Sequence, residues 1–132
     1  MDTTAEENLY AINLSWFEQN KVSFLDVARR RVCAACDKKG ATDKLKQPAD
    51  FIKLISGCCV KDKTYIHAQQ PIAESIFRLF LSNGNKPLKV EDIMIRVNER
   101  RGDNPMSIST EALQKMLDAR KFLGLGPFSA KS

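Results

Sequence analysis

All four cysteines of this chain, Cys33, Cys36, Cys58 and Cys59, fall in one stretch in the first half of its 132 residues. Thiolates are the commonest soft metal ligands, and two pairs supply the four donors of a tetrahedral site. A fold that uses them together must bring the end of one early element against the end of another. Cys33 and Cys36 form a C-x-x-C pair, whose members share a face if the segment is helical. Cys58 and Cys59 are adjacent, so joint ligation asks for a sharp turn, which Gly57 permits. If only one of that pair binds, His67, the sole histidine, is the alternative fourth ligand.

Asp37-Lys38-Lys39-Gly40 resembles the turn of a zinc knuckle, and Lys38, Lys39, Lys44, Lys46, Lys61 and Lys63 offset the charge of four thiolates. Structural zinc is therefore the cofactor the pattern favours. An iron–sulfur cluster also takes four thiolates, although this spacing matches neither ferredoxin signature. Two further alternatives stay open. Cysteine behaves as a small buried hydrophobe, so Cys33 and Cys36 can extend the stripe of Val32, and Cys58 that of Ile55. A disulfide or redox pair is the other, but a thioredoxin-like C-x-x-C expects a βαβ setting.

The apolar periodicity is helical almost throughout. Thr4 and Glu7 fit a capping box, and Leu9, Ile12, Trp16 and Phe17 predict a helix over 5–20. Ser23 caps a second helix over about 24–36. Pro48 opens a third that ends near Gly57. A short extended segment is expected at Thr64–Ile66. Pro71 opens a fourth helix, stopped by Ser82-Asn83-Gly84-Asn85. Val90, Ile93, Met94 and Val97 define a fifth, and Ser109 caps a sixth. The expected class is all-α with about six helices. It divides into a cysteine-bearing part over 1–70 and a three-helix part over 71–132, the two able to form one compact domain.

Within 71–128, the helix Ala73–Leu81, the short strand Lys86–Val90, the helices Glu91–Arg100 and Ser109–Lys121, and the exit strand Phe122–Gly126 resemble a winged-helix or helix-turn-helix domain lacking a full wing. That resemblance implies DNA or RNA binding, with the third helix meeting bases and flanking cations holding phosphates. Carried over by position, the base-facing residues are Ser109, Thr110, Gln114 and Lys115. The phosphate-facing ones are Lys89, Arg100, Arg101, Arg120 and Lys121.

Charge agrees with an anionic partner. Residues 1–20 carry Asp2, Glu6, Glu7 and Glu18 with no Lys or Arg, so a net charge of +5 leaves +9 on the rest. A protein partner docking on Trp16 and Phe17 is the competing expectation. The acidic N-terminus lacks a signal-peptide layout, no apolar run is long enough to span a bilayer, and a cytoplasmic protein is expected. No catalytic motif appears, so an enzyme is not expected.

Overall fold

The computed structural model describes residues 8–37 and 42–128. The Thr4–Glu7 capping box, Lys38, Lys39 and Gly40 lie outside them. Among the described residues there are six α-helices and one small sheet: β1 (Leu9–Ile12), α1 (Leu14–Gln19), α2 (Phe24–Arg29), α3 (Pro48–Gly57), a 3-10 turn (Cys59–Lys61), α4 (Ile72–Ser82), β2 (Leu88–Lys89), α5 (Val90–Arg101), α6 (Thr110–Asp118) and β3 (Leu125–Pro127). The chain is mostly helical but not all-α. No helix among the described residues is long and apolar enough to cross a membrane.

The helix expected over 5–20 is the main correction. Among the described residues of that span, Leu9–Ile12 form β1 and Leu14–Gln19 alone are helical. Leu9 and Ile12 are spaced for a helix face, but the consecutive residues Tyr10, Ala11 and Ile12 are all buried, so here both faces of the strand are covered. β1 lies between β2 and β3 and is antiparallel to both, with Tyr10 opposite Leu88 on one side and Ala11 opposite Gly126 on the other. The sheet is thus completed from the N-terminal end of the chain.

Asn13 ends the strand and locks it to β3. Its backbone N–H donates to the Gly124 carbonyl at 2.9 Å, and its side-chain amide donates to the Gly124 and Pro127 carbonyls at 3.2 Å each. Gly124 has φ +79°, and a Cβ there would sit 2.9 Å from the Asn13 carbonyl oxygen. Only glycine accommodates both the turn and the approach.

Ser23 accepts the Asp26 N–H as expected of an N-cap, but α2 stops at Arg29 and the chain then runs through turns. α3 begins at Pro48 with a Gln47–Asp50 capping box and ends at Gly57. The Thr64–Ile66 segment is a turn rather than a strand, with Tyr65 and Ile66 buried. One core joins all of this: Phe51 and Ile55 of α3, Ile76, Phe77 and Phe80 of α4, Ile93 and Val97 of α5, Leu113 and Leu117 of α6, and Tyr10 and Ile12 of β1. Fully buried side chains of this size each contribute about 1.5–3 kcal/mol.

Candidate metal centre

The turn after α2 and the end of α3 bring the cysteines together. Cys33 and Cys36 sit in a tight turn closed by the Cys36 N–H to the Cys33 carbonyl at 3.0 Å. Cys58 is the C-cap of α3, and Cys59 opens the 3-10 turn, whose Lys61 N–H returns to the Cys58 carbonyl. This is the sharp turn that adjacency demanded.

Sulfur atoms of Cys33, Cys36 and Cys59 lie within 4.8 Å of one another. Cys36 is disulfide-bonded to Cys58, with the Cα atoms 6.1 Å apart, while Cys33 and Cys59 are free thiols. Cys33 Sγ is 3.1 Å from Cys36 Sγ, and the Cys33 backbone N–H donates to Cys59 Sγ at 3.2 Å. All four sulfurs therefore share one locus. Sulfurs around tetrahedral zinc, at about 2.3 Å from the ion, stand roughly 3.8 Å apart. Cys33, Cys36 and Cys59 lie close enough to hold a metal ion, while Cys36 is engaged in the bond to Cys58.

Burial grades these thiols. Cys59 is 0% exposed, and burial pushes its pKa up to about 11 against the lowering hydrogen bond from Cys33. A bound cation reverses that balance by stabilising the thiolate. Cys33, Cys36 and Cys58 are half-buried and accessible to solvent at the rim.

His67 does not join the group. Its Nδ1 instead accepts the Gln69 N–H at 3.2 Å. Cys58, which is outside the group of three, adjoins it through its bond to Cys36.

A charged network that sequence patterning did not indicate braces the approach to Cys33. Arg31 binds Glu74 of α4 through both side-chain arms at 2.8 Å, and Arg78 binds the same carboxylate at 2.8 Å. Arg31 stacks over Phe77, and Arg78 over Tyr65. Burial alone would raise the Glu74 pKa, but the two guanidiniums outweigh it and hold it below its usual value. Of Arg29, Arg30 and Arg31, Arg31 alone makes an ion pair with another element among the described residues. Tyr65 is 2% exposed, and its hydroxyl is buried without a hydrogen-bond partner among the described residues.

The residues expected to meet nucleic acid are divided by the fold. Ser109, Thr110, Lys115, Arg120 and Lys121 are exposed, and Gln114 is half-buried. Ser109 accepts the Ala112 N–H as the α6 cap, so its side chain has a structural role. Lys89 is exposed at the end of β2. Arg100 is half-buried and donates to the Asp62 carbonyl at 2.9 Å. Arg101 does not face solvent: it is 8% exposed and donates to the carbonyls of Ala68, Gln70 and Asn104 and to Ser75 Oγ. Its donors are committed to acceptors within the fold, so it braces the structure. Of the aromatic pair considered for a protein partner, Phe17 is buried edge-on against Trp16 and Phe24, and only Trp16 keeps partial exposure. No known protein family, no curated protein and no solved structure matches this chain.

Proposed function

We propose that this protein is a small nucleic-acid-binding module of regulatory type, with its N-terminal half stapled by structural zinc on Cys33, Cys36, Cys58 and Cys59. The observation that carries the reading is the convergence of cysteine sulfurs from two separate segments: those of Cys33, Cys36 and Cys59 lie within 4.8 Å of one another, and Cys58 is bonded to Cys36. An all-sulfur set leaves no open position for a substrate, which suits a structural ion. Thiolates ligate after giving up their protons, so loading would draw the proton from buried Cys59 and tie the 3-10 turn to the turn after α2.

Nucleic-acid binding draws on the surplus positive charge and on α6. That helix buries Leu113 and Leu117 and turns Thr110, Glu111, Ala112 and Lys115 to solvent. The element order α4, β2, α5, α6, β3 is that of the winged-helix resemblance, with β1 supplying the strand that the end of the chain does not. The reading takes the protein to work in the cytoplasm, where thiols stay reduced.

Protein purified under reducing, chelator-free conditions should contain near one zinc per chain, without iron–sulfur absorption. A metal-free sample that is fully folded and equally heat-stable would count against the staple. Duplex affinity should weaken steeply with salt and fall on Lys115→Glu.

A second reading is favoured by one contact. Cys33 Sγ lies 3.1 Å from Cys36 Sγ, which is already bonded to Cys58. A Cys33 thiolate attacking Cys36 would form the Cys33–Cys36 bond, break Cys36–Cys58 and release Cys58 as a thiolate, with no net oxidation. Peptide mapping that finds only the Cys36–Cys58 link after equilibration would exclude this exchange.

A further inference from the structure

A cleft of about 480 Å³ opens between the C-terminal end of α4, β2 and the C-terminal half of α5. Its floor is apolar, with Leu79, Leu88 and Val60, and its rim carries Lys86, Arg96 and Arg100 against the single carboxylate of Glu99. Three cations facing one anion leave the cleft positive. Lys86 and Arg96 are exposed, and no ion pair among the described residues engages either of them. Arg100 spends one of its five donors on the Asp62 carbonyl, which holds the guanidinium in place at the rim.

We propose that this cleft is a phosphate-backbone site for nucleic acid, in which Lys86 and Arg96 contact phosphates and Arg100 forms a fixed cationic wall. The inference rests on the nucleic-acid reading above but names a surface apart from α6, since no α6 residue lines the cleft. An acidic peptide is the other polyanion to weigh. Peptide docking takes its affinity from buried apolar anchors, and here Leu79 and Leu88 are already covered, at 5% and 9% exposure. Little apolar area is left for a peptide side chain to gain. A partner whose affinity comes from regularly spaced charge fits better, and a phosphodiester chain is such a partner.

The cleft also adjoins the cysteines. Val60 follows Cys59 directly in the 3-10 turn, and the Asp62 carbonyl that holds Arg100 lies just beyond it. The wall of the cleft is therefore built from the segment that the sulfur locus anchors.

The test is fluorescence anisotropy of a labelled random-sequence DNA duplex over a salt series, with the full chain. Lys86→Glu with Arg96→Glu should weaken binding at least about tenfold at low salt and make the salt slope shallower by roughly 2, one for each lost phosphate contact. The pair Lys86→Arg and Arg96→Lys should retain the native slope, and circular dichroism should show both variants folded. If the charge reversals leave affinity unchanged while Lys115→Glu lowers it, the cleft assignment is overturned and the reading based on α6 stands. If native protein binds no duplex, both fall. Binding of a polyglutamate peptide that competes with the duplex and needs the same two residues would reassign the cleft to an acidic protein.

Discussion

Asn85 holds Ile12 by both of its backbone polar groups: its side-chain carbonyl accepts the Ile12 N–H and its amide donates to the Ile12 carbonyl, each at 2.9 Å. Asn85 itself has φ +58°, a left-handed conformation that asparagine tolerates better than most residues. The turn after α4 thus fixes the end of the central strand.

Replacing Asn85 with alanine removes both bonds and puts at φ +58° a residue that tolerates the left-handed region less well than asparagine. Urea unfolding should show a loss of about 2–3 kcal/mol. Asn85→Gly loses the bonds without the strain and should be the milder change. Equal losses would mean the hydrogen bonds alone matter.

Glu74 accepts from Arg31 and Arg78, and its side chain is 17% exposed. Glu74→Gln leaves two guanidiniums short of a counter-charge and should cost about 2–3 kcal/mol, moderated by the partial exposure of both arginines. The folded pKa of Glu74 is depressed, so its contribution is full above the ordinary value of 4.5 and disappears as pH falls through the lower folded value. Acid titration of stability in the native protein and in Glu74→Gln should therefore converge at low pH.

Both tyrosines should ionise late. Burial, then the hydrogen bond to Asp118 and the charge of that carboxylate, raise Tyr10 from 10.0 to about 12, and burial raises Tyr65 as well. Phenols protonated in the fold stabilise it fully below pH 10, and Tyr10's share is lost as pH rises toward 12. Tyrosinate absorbance should stay absent past pH 10 and then appear together with unfolding. A tyrosine titrating near 10 in folded protein would refute the packing described for β1.

Arg101→Ala should cost about 3 kcal/mol in thermal or urea unfolding, because three carbonyls and Ser75 Oγ lose their donor inside the fold. Lys115→Glu, on the exposed face of α6, should leave stability within about 0.5 kcal/mol. This contrast separates a residue that braces the structure from one available to a partner.

Helices with strong local punctuation were legible from the residues alone. Pro48 and Gly57 bound α3, Pro71 precedes α4, and Ser109 caps α6, since these signals act within a few residues of themselves. β1 was not legible. Tyr10-Ala11-Ile12 is a short apolar run whose state depends on partners from the far end of the chain, and spacing alone cannot distinguish a buried strand from a helix turn. The clustering of the cysteines followed from their confinement, whereas the exclusion of His67 depended on how the turn at 67–70 packs. Arg101 misled for a similar reason: next to Arg100 it looks like surface charge, and only the fold reveals the carbonyls that draw it inward.

Because β1 is the middle strand, the segments at 9–12 and 125–127 are mutual prerequisites. The Asn13 amide meets the Gly124 carbonyl across a separation of 111 residues. In synthesis β1 precedes both of its partners, so one of its edges stays unpaired until β3 follows. The same arrangement means that a fragment beginning at residue 71 would lack the strand that joins β2 to β3 and should not fold independently.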